Sequence, residues 1–292
     1  MIRVLGLIVT SDCNLRCSYC DYSNKRRDKK SNLLVEDVER FILAMSDYMN
    51  LGEIMITGGE PFLLSNIEYW ILTMKKYSPN ISILTNGTLI DSEQIRWLKK
   101  HSVTVHISID SLNSEYSELY RGGHEKLLSI LSKFEKENYK NLKLNITMSR
   151  ANIEDVHKII CYAKKNMFGY AINLLDLPPQ NELSWYNATE RERHEAIEII
   201  KKYMPQRNNF YEKLAKSLIS KRPIKKIPKC IIPRNYFIID SDGKVYPCYL
   251  YKKSIGTIFD KEYEIINNHK NLVSIKEKNG YECITTRCFS LL

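Results

Sequence analysis

The chain predicts an α/β fold built on a parallel sheet, and three observations carry that prediction. Strand-like and helix-spaced runs alternate about six times over residues 1–205. Several of the strand-like runs are apolar throughout or alternate with period two, as strands covered by helices do. The residues best suited to chemistry fall just after these strands, where parallel α/β folds bind their ligands.

Taken in order, residues 4–9 are apolar and run into Cys13-Asn14-Leu15-Arg16-Cys17-Ser18-Tyr19-Cys20. Leu34, Val38, Phe41, Ile42 and Met45 carry helical spacing within residues 33–49. A short apolar run at 54–57 ends in Gly58-Gly59-Glu60-Pro61, and residues 67–77 read as helix. Residues 81–85 read as a strand stopped by the turn pair Asn86-Gly87, and Asp91 is placed to cap a helix through Lys100. In residues 103–110, Val103, Val105, Ile107 and Ile109 share one face, with Thr104, His106, Ser108 and Asp110 on the other. Helix is expected over 125–138, 153–165 and 189–203, and strand over 142–148 and 170–175. Near the end, residues 235–240, the turn Ser241-Asp242-Gly243 and residues 244–248 predict a hairpin.

Composition narrows the class. Of 292 residues, 43% are hydrophobic and 27% charged, the profile of an ordinary globular protein. No apolar run approaches the roughly 18 residues of a membrane span, so no membrane association is expected. The first ten residues read as a core strand without a signal peptide's cleavage region, which places the chain in the cytoplasm. From the same start, no preceding peptide-recognition domain is expected. In that compartment eight cysteines point to metal or catalysis, not disulfides. The net charge of +10 favours an acidic partner, but the basic runs at 25–30 and 221–226 lack interleaved aromatics and read as solvated surface, so nucleic acid is not expected.

Three cysteines within eight residues can meet one face of an iron–sulfur cluster, whereas a closed zinc site needs a fourth ligand that is not nearby. Cys-x-x-x-Cys-x-x-Cys with Tyr19 before the last Cys resembles the signature of the radical S-adenosylmethionine (SAM) enzymes. The resemblance implies a partial (β/α)6 barrel in which Cys13, Cys17 and Cys20 hold a 4Fe–4S cluster. SAM would chelate its open iron and yield a 5′-deoxyadenosyl radical on one-electron reduction. An electron donor such as flavodoxin or ferredoxin is implied with it. Gly58, Gly59, Glu60 and Pro61 match the family motif that holds the SAM amino group, although a plain βα turn would look the same in isolation. Ser108 and Asp110 resemble the polar pair that touches ribose or methionine. Arg121, in Tyr120-Arg121-Gly122-Gly123, matches an arginine that pairs with the SAM carboxylate, or is a surface charge. Asn86 and Asn145 are cofactor contacts or, respectively, a turn residue and a satisfied barrel residue. Tyr19 belongs to the same cofactor set.

Cys230, Cys248, Cys283 and Cys288 can hold zinc or a cluster by spacing alone. The resemblance favours a SPASM/twitch extension over residues 206–292 with a second, auxiliary 4Fe–4S cluster, following a radical SAM barrel over 1–205. The four-residue gap between the last two cysteines departs from the pattern, so Cys288 is a ligand or a hydrogen-atom donor to substrate. Cys161, in a helical run, is expected in the core, and His106 is expected inside the barrel. The function implied is radical modification of a ribosomally made peptide by epimerisation or cross-linking. The alternatives are oxidation or epimerisation of an aminosugar or cyclitol and, from another class, a non-enzymatic zinc or nucleic-acid-binding protein.

Overall fold

The computed structural model describes residues 1–20, 22, 30–203, 219, 232–249 and 253–279. Six strands alternate with helices as the hydrophobic periodicity requires: β1 (Ile2–Thr10), α1 (Val35–Ala44), β2 (Met49–Gly58), α2 (Ile67–Met74), β3 (Ile81–Thr85), α3 (Ser92–Lys100) and β4 (Thr104–Ile109). Then come α4 (Ser114–Tyr120), α5 (His124–Lys136), β5 (Leu142–Met148), α6 (Ile153–Lys165), β6 (Gly169–Leu174) and α7 (Glu190–Tyr203). The hairpin follows as β7 (Tyr236–Ile239) and β8 (Lys244–Tyr246), then β9 (Gly256–Thr257) and α8 (Glu262–Asn279).

Asp91 caps α3 as expected, in a reciprocal capping box with Gln94. Several elements depart from the sequence expectation, α8 and β9 among them, where no helix or strand was expected. The helical run over 33–49 stops at Ala44, because Met49 to Gly52 are drawn into β2, whose first residue pairs with Ile2 of β1. The short helix α4 was not foreseen; Asn113 starts it by accepting the Glu115 and Tyr116 amides.

The described strands form one open sheet in the order β6-β5-β4-β3-β2-β1-β7-β8-β9. All pairs from β6 to β7 are parallel, and β7-β8-β9 are antiparallel. The hairpin therefore continues the barrel sheet, with Tyr236 opposite Val4 and Ile238 opposite Gly6.

One face of every central strand is fully buried beneath the helices. Leu5, Leu7, Ile54, Ile83, Ile107, Leu144 and Ile146 meet Val38, Phe41, Ile71, Leu98, Phe134 and Val156 in one core. Burial of this kind contributes on the order of 25 cal/mol per Å² and is the main support of the fold. The alternate residues, including His106, Ser108 and Asn145, face the barrel lumen. Among the described residues no helix is long and apolar enough to cross a membrane.

Cys161 corrects an expectation. It is exposed on α6, with Sγ 3.7 Å from His157 Nε2. The buried stripe of that helix is Val156, Ile159, Ile160 and Ala163, which leaves position 161 on the outer side.

Candidate functional site

The strand C-terminal ends converge on the cysteine loop. β2 meets it first. Gly59 N–H donates to Thr10 O at 2.8 Å and Glu60 N–H to Asp12 O at 2.7 Å. A Cβ at Gly59 would lie 2.0 Å from Asp12 O, and one at Gly58 2.4 Å from Thr10 O, where φ is already +146°. The two glycines thus let the end of β2 lie against the strand-to-loop backbone that leads into the cysteines.

Glu60 is fully buried. Its carboxylate accepts from Phe62 N–H at 3.0 Å, Thr85 Oγ1 at 2.7 Å and Asn86 N–H at 2.7 Å. Burial raises its pKa, and these donors oppose the rise. Pro61 is buried and opens the short 3₁₀ turn that Glu60 caps. The carboxylate expected to meet an ammonium group therefore has protein partners, and it ties the ends of β2 and β3 together. Asn86 Nδ2 reaches over the loop, 2.8 Å from Asn14 Oδ1 and 3.9 Å from Cys13 Sγ.

From the other side, β4 and α4 brace the loop. Arg121 and Asp110 form a buried bidentate pair, Nε to Oδ2 at 3.0 Å and Nη2 to Oδ1 at 3.1 Å. The Tyr19 hydroxyl donates to Asp110 Oδ2. Thr147 N–H donates to Asp110 Oδ1 at 3.3 Å, and Asn152 Nδ2 to the Asp110 carbonyl at 2.7 Å. The Cys17 thiol points at Arg121 O, 3.8 Å away, and Ser18 N–H donates to Tyr120 O at 2.9 Å. The guanidinium is thus joined to Asp110, and the backbone around it holds the loop.

The three thiols are free, not disulfide-bonded. Burial pushes Cys17 up to about 11, partly opposed by the Arg121 cation, and burial also raises Cys13, whose sulfur accepts from Leu15 N–H at 3.5 Å. A bound cation is what would draw the proton from such a thiol. Among the described residues no three Cys, His, Asp or Glu side chains converge on a single ion.

Sequence reasoning missed Thr85, Asn14 and Asn152, whose bonds to Glu60, Asn86 and Asp110 span 25, 72 and 42 positions. Asn145 is buried on the lumen face beside His106, and Ser108 sits next to it across the β4–β5 ladder. Cys248 packs with Val4, Met55, Leu84, Tyr236 and Tyr249. Cys230, Cys283 and Cys288 lie outside the described residues, as do most of the two basic runs.

The strands and helices thus form a partial α/β barrel with free thiols on the loop after its first strand, against which the diglycine at the end of the second packs. The radical SAM superfamily model matches residues 7–163, and an iron–sulfur cluster-binding domain model matches residues 230–289. This chain belongs to the radical SAM superfamily. It is 25% identical to the antilisterial bacteriocin subtilosin biosynthesis protein AlbA of Bacillus subtilis (strain 168), over 96% of this chain and 63% of that one. It is 28% identical to a cysteine-type anaerobic sulfatase-maturating enzyme of Clostridium novyi (strain NT), over 94% and 82%. The chain thus spans less than two thirds of the first relative's length. Native anSMEcpe with bound AdoMet and the Cp18Cys peptide shares the fold, with a TM-score of 0.67, 20% identity and coverage of 99% of this chain and 87% of that one.

Proposed function

We propose that this protein is a radical SAM enzyme that modifies a ribosomally made peptide. The observation that carries the reaction class is the reduced thiol loop, locked by hydrogen bonds from the ends of β2, β3 and β4. Cys13, Cys17 and Cys20 would hold a 4Fe–4S cluster that, with SAM bound and one external electron, would supply the reductive cleavage of SAM and hydrogen-atom abstraction from substrate.

The chain's own residues position and enclose. Gly58 and Gly59 keep β2 flush with the loop, Glu60 ties β2 to β3, and Asp110 with Arg121 and Tyr19 holds the loop's far side. Ser108 and Asn145 present hydrogen-bonding groups into the lumen beneath the loop, where they suit the polar parts of SAM. Residues 206–292 serve as the auxiliary iron–sulfur unit, with Cys230, Cys248 and Cys283 as ligands and Cys288 as ligand or hydrogen donor. Peptide as substrate draws on the printed names of the bacteriocin-biosynthesis relative and the peptide-bound neighbour.

The test is anaerobic reconstitution of the full chain, reduction, and mass spectrometry with SAM and a short peptide encoded beside the gene. The expected result is 5′-deoxyadenosine together with a mass or stereochemical change in the peptide. SAM cleavage with an unchanged peptide and turnover of an aminosugar or cyclitol would move the substrate to small molecules. An iron-loaded protein that never cleaves SAM would overturn the reaction class.

A further inference from the structure

Charge on the outside of the barrel is sorted by end. The first turns of α1, α6 and α7 bring Glu36, Asp37, Glu154, Asp155, Glu190 and Glu192 to the end that holds the cysteine loop. At the other end, where the strands begin, α3, α5, α6 and α7 each carry two lysines in the last turn. Lys75 and Lys76 follow α2 at the same level. A cation near a helix C-terminus is the ordinary complement of the helix dipole. Here the charge goes further, because exposed Arg3 and Lys143 stand on β1 and β5, not on helices.

These cations form a continuous rim. Lys75 Nζ donates to His101 O at 2.7 Å, joining the ends of α2 and α3, and Lys99 Nζ donates to Glu137 O at the end of α5. Lys140 Nζ reaches Met167 Sδ, past the end of α6, at 3.6 Å. Lys164 of α6 and Lys202 of α7 lie 5.0 and 5.1 Å from the centre of the Tyr203 ring. Glu39, Glu137 and Glu198 pair with Lys76, Arg96 and Lys201, which leaves Lys100, Lys136, Lys143 and Lys165 without a carboxylate partner among the described residues. At the centre of the rim a pocket of about 500 Å³ opens between Arg3, Asn80, Thr104, Lys143 and Glu53, which accepts from Ser82 at 2.7 Å.

We infer that this underside docks an acidic segment of the substrate peptide, away from the residue that reacts at the cysteine mouth. The inference rests on the peptide reading above and adds where the rest of the peptide is held. Lysines are flexible point charges that suit a row of carboxylates, and the acidic helix starts at the mouth repel the same segment. Nucleic acid fits the rim less well. Its rings, Trp97 and Tyr203, are half-buried, Trp97 against His101 and Tyr203 beside the two lysines, so neither stands open for bases to stack on. Helix α6, of 13 residues, spans roughly 20 Å between the two ends. An extended chain covers that height in about six residues, so the acidic segment lies at least that far along the peptide from the reacting residue.

The test uses the full chain, iron-loaded and anaerobic, with two fluorescein-labelled probes: a peptide of alternating Asp and Ser, and an oligouridylate of the same charge. Fluorescence anisotropy is expected to show the peptide binding at low salt, more tightly than the oligouridylate, and releasing as salt rises. Lys164→Glu with Lys165→Glu should weaken peptide binding about tenfold or more. Lys126→Glu with Arg191→Glu makes the same change of net charge in first turns at the mouth end, and should weaken it less than about twofold. Each variant is accepted only with wild-type circular dichroism and iron content; Lys164→Gln with Lys165→Gln replaces the first pair if it fails, with loss in the same direction expected. Equal weakening by both pairs, no binding of the acidic peptide at low salt, or tighter binding of the oligouridylate would overturn the inference. Reductive SAM cleavage is measured on the same samples. Its absence sinks the radical SAM assignment, whereas cleavage without acidic-peptide binding sinks only the docking face.

Discussion

The two ends of the barrel are held by different forces. At the upper mouth, where the cysteine loop sits, two buried carboxylates organise the backbone. Glu60 accepts three hydrogen bonds, and Asp110 accepts from Arg121, Tyr19 and Thr147. At the lower end, Cys248 lies among Val4, Met55, Leu84, Tyr236 and Tyr249, and nearby Tyr48, Phe237 and His269 stack edge-on or tilted. Directional bonds fix atom positions to within a few tenths of an ångström; apolar packing fills volume and tolerates exchange. The upper end is therefore the place where small changes should be costly, and the lower end the place where they should be absorbed.

The largest effect expected is at the thiols. Cys13→Ala, Cys17→Ala or Cys20→Ala should each abolish cluster absorbance and 5′-deoxyadenosine formation, read by visible spectroscopy and chromatography. Cys248→Ala should spare the first cluster and some SAM cleavage while losing product. Equal loss from both sets would erase the contrast between the two ends.

Next is the Asp110–Arg121 pair. Arg121→Met strands a buried carboxylate and should destabilise the protein by about 3–5 kcal/mol in urea unfolding. Asp110→Asn added to Arg121→Met should recover much of that loss, and additive effects would argue against a shared network. Gly59→Ala should cost about 1–3 kcal/mol and lower bound iron after reconstitution, because the new Cβ would sit 2.0 Å from Asp12 O.

A smaller effect concerns pH. Burial, with Lys143 nearby, lowers His106 to about 4 from its ordinary value of 6.5. Between those values the unfolded chain binds a proton that the folded chain refuses, so stability falls as pH drops from 6.5 towards about 4. The full loss is about 3 kcal/mol. Urea midpoints against pH should show that slope, and His106→Gln should lack this part of it. The smallest effect belongs to exposed Cys161: Cys161→Ser should shift stability by less than about 0.5 kcal/mol.

Much of the fold was legible because helix and strand periods are local. The strand at 81–85, the strand at 142–148 and the helix at 153–165 stand where the pattern puts them. Boundaries drifted where a neighbouring strand decided them, as at the start of β2, where pairing with Ile2 claimed Met49, which helical spacing had assigned to the preceding helix. Position 161 was misjudged from residue type, since thiols are often buried, whereas helix phase turns this one outward.

The strand–helix alternation determined the parallel sheet by itself, and the cysteine spacing and diglycine, through their resemblance to a known family, pointed to the superfamily and to the loop that would carry the cluster. Only the tertiary structure decided that Glu60 bonds to Thr85 and Asn86, that Arg121 is joined to Asp110, and that Cys248 packs against Met55 and Leu84. The reason is separation along the chain. Tyr19 meets Asp110 across 91 positions and Asn86 meets Cys13 across 73. No local pattern names such a partner; the curvature of the sheet supplies it.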